Sequence, residues 1–91
     1  MDAQAKLRRT LTDLRLRQGL TQSGLASLLG YSNGQFISNW ERGLALPPIP
    51  TLFPLAKIFE VSAESLFNLV LAATLEIVSD EMIRRFNEKE R

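Results

Sequence analysis

One stretch, residues 20–43 (LTQSGLASLLGYSNGQFISNWERG), constrains the fold of this chain more than any other. It contains two short runs of apolar residues at helical spacing, separated by a turn that contains glycine. Thr21 is a suitable N-cap for the first helix, Ser32 or Asn33 is placed to start the second, and a glycine follows each helix. Two short helices joined by so tight a turn predict a helix-turn-helix.

Each of these helices is predicted to place one apolar face against a core. The small residues Gly24, Ala26 and Ser27 leave room for a second helix to approach closely. The apolar residues recur at spacings of three and four, which is the period of a helix face. The predicted core positions are Leu25, Ala26, Leu29, Ile37 and Trp40, and Leu28 and Phe36 fall on the same apolar spacing.

The polar side chains of the second helix lie off this apolar face. They carry amide, hydroxyl and guanidinium groups, which contact base edges and phosphates in protein–DNA complexes. Gln35 is the strongest candidate for a base contact, because its amide can pair bidentately with adenine in the major groove. The predicted base-contacting residues are Gln35, Ser38, Asn33 and Asn39. Asn33 has an alternative interpretation as a turn residue, since Asn-Gly readily adopts positive backbone dihedrals.

The same stretch resembles the helix-turn-helix of the phage-repressor and Cro-like (XRE-type) family of transcriptional regulators. The family pattern of GLTQ, LA, LG, IS and ERG appears at residues 19–22, 25–26, 29–30, 37–38 and 41–43. The resemblance covers about residues 7–70 and implies an all-α, five-helix lambda-repressor-like DNA-binding domain. One departure falls between Gly30 and Ile37, where six residues stand in place of the commoner five. We expect the extra residue at the front of the second helix.

The resemblance also implies roles for residues outside the second helix. Gln22 lies at the start of the first helix of the motif, where free amides and the helix dipole favour a phosphate. Arg15 and Glu41 correspond to a structural ion pair that holds helix one to the second helix of the motif. The alternatives are that Gln22 only caps its helix and that the arginines are solvated. The predicted phosphate contacts are Gln22, Thr21, Arg17 and Arg42.

Composition excludes several other functions. The chain has 91 residues with neither cysteine nor histidine, which removes thiolate and imidazole metal sites and histidine-based catalysis. We therefore expect no enzyme activity, no metal and no cofactor. No apolar run reaches the roughly 18 residues of a membrane span, and the N-terminus lacks a signal-peptide core. The sequence predicts a cytoplasmic protein without a membrane partner.

The charge distribution supports nucleic-acid binding only in the first half of the chain. The net charge is +1, which is low for a DNA-binding protein. Residues 1–46 carry six basic and three acidic side chains, whereas residues 47–91 carry five basic and seven acidic ones. We therefore expect modest affinity per monomer, so that tight binding requires a homodimer.

The segments around the motif are predicted to be helical as well. A first helix is expected over residues 3–18, and Ser62 is placed to cap a fifth helix. The four prolines of residues 47–54 require the fourth helix to start late, with Thr51 as its N-cap and Pro54 in its first turn. In the preceding loop, Leu44, Leu46 and Ile49 suggest a hydrophobic contact.

The end of the chain extends beyond the family pattern. We expect a DNA-binding domain over residues 1–70 and a C-terminal helical extension over residues 71–91. This extension contains apolar residues at spacings of four, three, four and four, here called the C-terminal stripe: Leu71, Leu75, Val78, Met82 and Phe86. The stripe either folds back on its own domain or forms a dimer seam resembling a short coiled coil. We favour the seam, because the five preceding helices already account for a core of the family's size.

Together these observations predict a sequence-specific, DNA-binding transcriptional regulator, most simply a repressor, that binds a near-palindromic operator as a homodimer. Two alternatives belong to other classes. The first is an antitoxin-like protein that holds a protein partner with its C-terminal helix and binds DNA for autoregulation. The second is a helix-turn-helix that serves only as a protein-interaction module, for which the low net charge is the supporting feature.

Overall fold

The computed structural model describes residues 2–90, which form five α-helices and one short 3-10 helix. No strand occurs within residues 2–90, and the all-α prediction is confirmed. The helices are α1 (Ala3–Arg17), α2 (Gln22–Leu28), α3 (Gln35–Arg42), α4 (Leu52–Phe59) and α5 (Ala63–Glu90), with the 3-10 helix at Ile49–Thr51.

The helix ends follow the capping residues of the sequence. Thr21 Oγ1 accepts a hydrogen bond of 2.9 Å from the Gly24 amide and caps α2. Ser62 Oγ accepts one of 3.1 Å from the Ser65 amide at the start of α5. Gly43 ends α3 with a φ of +78°, a left-handed conformation that side chains with a Cβ rarely adopt. The predicted N-caps Thr21 and Ser62 and this predicted helix end are confirmed.

The proline-rich segment delays α4 as predicted, but no side chain caps this helix. Thr51 occupies the N-cap position, yet its side chain makes no capping hydrogen bond. The 3-10 turn Ile49–Thr51 leads directly into α4 instead, so Thr51 already has helical backbone angles. Pro54 lies in the first turn of α4, where its missing N–H removes no helix hydrogen bond.

The core lies between α1, α3, α4 and the first half of α5, with α2 packed against α3. Its largest fully buried side chains are Leu25, Ile37, Leu52, Leu55 and Leu66. Leu28 and Phe36 share the apolar spacing of the predicted core positions, but both side chains are more than half exposed. Leu28 ends the short α2, whose buried positions are Leu25 and Ala26.

Helix α5 is one continuous helix of 28 residues, so the C-terminal extension continues the fifth helix rather than forming a separate one. Its first half packs on the domain through Leu66, Val70 and Ala73, which are buried. The chain as a whole is elongated, at 50 × 25 × 22 Å. All five residues of the C-terminal stripe are exposed, and the stripe does not fold back on its own domain.

A carboxylate of α5 ties this helix to the start of α1. Glu76 Oε2 accepts a hydrogen bond of 2.7 Å from the Ala3 amide, and Oε1 accepts from the Gln4 amide at 3.1 Å and from Gln4 Nε2 at 3.0 Å. The first amides of a helix have no partner within the helix, and they favour a negative charge. The bond from the Ala3 amide is the main reason that the pKa of Glu76 falls to about 2.

This contact predicts a specific acid sensitivity. The folded-state pKa of Glu76, about 2, is lower than its ordinary value of 4.5, so the carboxylate stabilises the fold fully above pH 4.5. That stabilisation is lost as the pH falls through about 2. The melting temperature of Glu76→Gln should therefore fall less between pH 4.5 and 2 than that of the wild type. Asp80→Asn, an exposed carboxylate one turn further along α5, should leave the fall unchanged. Equal curves for wild type and Glu76→Gln would contradict the prediction.

Candidate nucleic-acid interface

The turn between α2 and α3 is built from backbone contacts and one side-chain cap. Gly30 has a φ of +85°, and the Tyr31 amide donates to the Ala26 carbonyl at 2.9 Å, which closes the end of α2. Helix α3 then begins at Gln35, so the predicted start at Ser32 or Asn33 is wrong. The extra residue of this chain thus lies in the turn and does not lengthen the front of α3.

Gly34 explains why α3 begins where it does. A Cβ atom added to Gly34 would lie 3.1 Å from the backbone carbon of Gln22 and from the backbone nitrogen of Ser23. The start of α3 therefore touches the first turn of α2 backbone to backbone. The φ of Gly34 is −81°, so the expectation of positive dihedrals for the Asn-Gly pair is wrong. Glycine is needed here for close approach and not for its conformation.

Gly34→Ala should separate the two helices of the motif. The added methyl group meets rigid backbone on α2, and overpacking of this kind costs about 1–3 kcal/mol. We expect a lower free energy of unfolding in urea and weaker binding of any DNA that the wild type recognises. Ser32→Ala, an exposed position two residues earlier, is the matched control and should change stability by less than about 0.5 kcal/mol. An unchanged unfolding midpoint for Gly34→Ala would refute the close-approach argument.

Of the four residues predicted to contact bases, Asn33 and Gln35 lie just before and at the start of α3, and Ser38 and Asn39 lie one turn further along it. Gln35 and Asn33 are exposed, and Ser38 and Asn39 are partly exposed. Gln35 Nε2 donates to Asn39 Oδ1 at 2.9 Å, a bond between residues one turn apart that holds both side chains along the helix. Gln35 keeps its amide oxygen and a second amide hydrogen, which form the donor and acceptor pair that matches adenine.

Asn33 has a local structural role, which the sequence offered as the alternative to a base contact. Its Oδ1 accepts a hydrogen bond of 2.9 Å from the Gln35 amide, in place of an N-cap side chain at Gly34, which has none. This bond satisfies one of the amides that the start of α3 leaves unpaired. The amide nitrogen of Asn33 still projects from an exposed residue at the leading end of α3.

The residues predicted to contact phosphate occupy the ends of three helices. Thr21 caps α2 through its hydroxyl, Arg17 is the exposed last residue of α1, and Arg42 is the exposed last residue of α3. Gln22 begins α2 and lies beside Gly34 at the start of α3. The structure therefore brings Gln22 close to the predicted base-contacting residues, whereas it places Arg42 at the far end of α3.

A hydrogen-bonded group connects α1 with the two helices of the motif. It consists of Arg15, Gln22 and Glu41. Arg15 donates from Nε to Glu41 Oε2 at 2.7 Å and from Nη2 to Glu41 Oε1 at 3.1 Å, and the two side chains are only 11% and 8% exposed. Gln22 Nε2 donates to Glu41 Oε1 at 3.1 Å, so this group also fixes the orientation of the Gln22 side chain. Arg15 NH1 donates to the Leu20 carbonyl at 2.8 Å. The group joins α1, α2 and α3.

The charges in this group are stabilised mutually. Burial alone would raise the pKa of Glu41, but the hydrogen bonds from Arg15 and Gln22 outweigh it and hold that pKa below its ordinary value. The hydrogen bond to Glu41 raises the pKa of Arg15. Both groups therefore stay ionised at neutral pH, which is the condition for a partly buried pair to hold the motif together.

Phe36 is a candidate DNA-contacting residue that the sequence places on the apolar face of the second helix of the motif. Its side chain is 54% exposed on α3, and its ring packs against Tyr31 with 4.7 Å between the centroids. An exposed phenylalanine on a recognition helix can make an apolar contact with the methyl group of thymine. Its position at the edge of the apolar face, adjacent in sequence to the buried Ile37, was the available signal.

Residues 2–90 contain neither a membrane-spanning helix nor a cluster of metal ligands. No helix in this part of the chain combines the length and the apolar character needed to cross a membrane. Over the same residues, no three carboxylates lie close enough together to hold a metal ion.

The fold and the exposed polar start of α3 define a DNA-binding helix-turn-helix domain. A family model described as helix-turn-helix matches residues 11–66, which is more than half of the chain. The chain belongs to this family of Cro/C1-like regulators, and the resemblance to the phage-repressor and Cro-like family is confirmed. It is a DNA-binding transcription regulator, from a family whose members are typically not enzymes. No curated protein matches the chain.

Proposed function

We propose that the protein is a repressor that binds a near-palindromic operator as a homodimer. The observation that carries the proposal is that one small chain has two separate exposed surfaces. One is the polar start of α3, and the other is the C-terminal stripe, which points away from the core of its own chain. A two-fold dimer would present two α3 helices to successive major grooves about 34 Å apart.

Within this proposal, base recognition is carried by the first turns of α3. Gln35 pairs with adenine, and Ser38, Asn33 and Asn39 contact neighbouring base edges or their phosphates. Gln22 and Thr21 contact the DNA backbone from the start of α2, and Arg17 and Arg42 supply positive charge nearby. The Arg15–Glu41 pair contacts no DNA itself and holds the Gln22 side chain in place through the hydrogen bond to Glu41. Bound to its operator, the dimer would exclude polymerase by occupancy.

Selection of genomic DNA fragments by the purified protein tests this function. The wild type should enrich an inverted repeat, and Gln35→Ala should lose preference at one position of each half-site, at a cost of about 1–3 kcal/mol for the preferred base. Lys57→Ala, which removes an exposed charge from α4 rather than from the motif, is the control and should select the same repeat.

Each other outcome of the selection favours a different function. A single unrepeated half-site would contradict the homodimer while leaving base recognition in place. Absence of any motif at low salt would contradict sequence-specific binding and favour a protein-interaction module. Co-purification of an unrelated chain through the exposed end of α5 would favour an antitoxin-like protein, in which DNA binding serves autoregulation.

A further inference from the structure

The C-terminal stripe is complementary to a reversed copy of itself. Leu75 and Val78 lie at equal distances on either side of a point between residues 76 and 77, and so do Leu71 and Met82. When two copies of α5 run antiparallel about that point, Leu75 of each faces Val78 of the other. Leu71 of each then faces Met82 of the other in the next layer. The spacing thus forms four apolar layers of large side chains.

The residues beyond these apolar layers match in the same register. Asn68 and Arg85 have the same midpoint, and so do Glu64 and Lys89. An antiparallel pair therefore places the Glu64 carboxylate opposite the Lys89 ammonium of the second copy, and the Asn68 amide opposite Arg85. All four side chains are exposed in the single chain and project from the same side of α5 as the stripe. Opposite charges thus close both ends of the apolar seam.

A parallel pair of helices lacks this complementarity. Each residue would face its own equivalent, so that Glu64 would meet Glu64 and Lys89 would meet Lys89. Arg85 would also meet Arg85, although each is paired with Glu81 of its own helix at 2.8 Å. Like charges at facing positions destabilise helix pairs, and they select against that orientation.

The position of the stripe around α5 leaves room for a second helix. The residues of α5 that pack on their own domain, Leu66, Val70 and Ala73, lie about 145° around the helix from the stripe. Leu75 is 61% exposed and Met82 is 66% exposed, so the centre of the stripe is uncovered. Phe86 of the stripe and Phe67, which has the same midpoint with it, are also exposed and widen the apolar area on opposite sides of Leu75 and Val78.

We propose that the second copy of this chain binds along the stripe with its α5 antiparallel, in the register that pairs Leu75 with Val78, Leu71 with Met82 and Glu64 with Lys89. This inference rests on the proposed homodimer and adds its orientation and register. It places the two domains at opposite ends of the seam, with equivalent residues such as Phe67 about 28 Å apart along α5. That separation is of the order of one turn of DNA, the spacing of half-sites in operators of this class.

Disulfide cross-linking tests the orientation, because the chain has no cysteine of its own. One chain carries Leu71→Cys and a second, distinguished by a tag, carries Met82→Cys. Mixed and oxidised, they should form a disulfide-linked heterodimer, while each variant alone should form few cross-links. Both positions are exposed, so the variants should fold. The matched control is Leu71→Cys mixed with Asn87→Cys, which lies on the far side of α5 and should not cross-link.

The other outcomes separate the register from the homodimer itself. Efficient cross-linking of Leu71→Cys to itself would overturn the antiparallel orientation and leave the homodimer in place. A chain that is dimeric by sedimentation but forms no mixed disulfide would overturn the register. A wild-type chain that sediments as a monomer at all concentrations and on operator DNA would overturn both proposals.

Charge exchange gives an independent test of the register. Glu64→Lys or Lys89→Glu alone places like charges at both ends of the seam and should weaken the dimer by about 3- to 10-fold. The double variant Glu64→Lys with Lys89→Glu restores opposite charges and should recover the wild-type dissociation constant. Asp80→Lys, on the face of α5 away from the stripe, is the control for a change of charge. Failure of the double variant to recover dimerisation would overturn the register.

Discussion

Glu41→Ala should remove a large part of the protein's free energy of unfolding. Glu41 accepts hydrogen bonds from the Arg15 guanidinium and from the Gln22 amide, and its removal leaves the largely buried Arg15 charge without its partner. Breaking a buried ion pair by removing one member costs about 3–5 kcal/mol. A small domain has a total stability of about 5–15 kcal/mol. Chemical denaturation of wild type and variant measures the loss directly.

A double replacement distinguishes the lost pair from a general defect. Arg15→Met with Glu41→Leu removes both charges and fills the same space with apolar groups, a change that is often neutral for buried pairs. It should recover most of the stability that Glu41→Ala loses. It should not recover full DNA affinity, because Gln22 would still lack the acceptor that orients it. Recovery of neither property would show that Glu41 acts through something other than this pair.

Leu75→Glu should convert the protein to a monomer without unfolding it. Leu75 lies at the centre of the C-terminal stripe and is 61% exposed, so a carboxylate is tolerated in the single chain but not in an apolar seam. Linking two DNA-binding modules raises affinity by about 10²–10⁴-fold over one module. The variant should lose that factor on a full operator while keeping its circular dichroism spectrum and its affinity for one half-site.

Asn87→Glu is the matched control for this substitution. It adds the same charge to the exposed second half of α5, on the face away from the stripe. It should sediment as the wild type does and bind the full operator with the same affinity. A Leu75→Glu protein that remains dimeric would show that the subunits meet elsewhere, for example through the exposed side chains of Leu44 and Ile49.

Much of the fold could be predicted because local signals and family pattern agreed. Thr21 and Ser62 cap their helices through side chains that act within three residues, so no tertiary information was needed. Gly43 ends α3 for an equally local reason, its left-handed backbone. The late start of α4 followed from Pro54, which fixes its own position within a helix.

The errors fall where tertiary contacts decide. The start of α3 is set by the contact between Gly34 and the backbone of α2, and a single sequence does not show that distance. Phe36 fits the helical period of the core as well as Ile37 does, and only the docking angle of α3 determines which of them is buried. For the same reason the sequence did not show that Gln22 is held by Glu41.

The unbroken backbone of α5 has a consequence for the DNA. No proline or glycine interrupts its 28 residues, so α5 is a rigid helix from the domain to the end of the stripe. A dimer joined by two such helices cannot twist to follow a change in the helical phase of the duplex. Inserting two base pairs at the centre of the operator rotates one half-site by roughly a fifth of a turn. The affinity of such a protein for its operator would depend on the helical phase between the half-sites as strictly as on their base sequence.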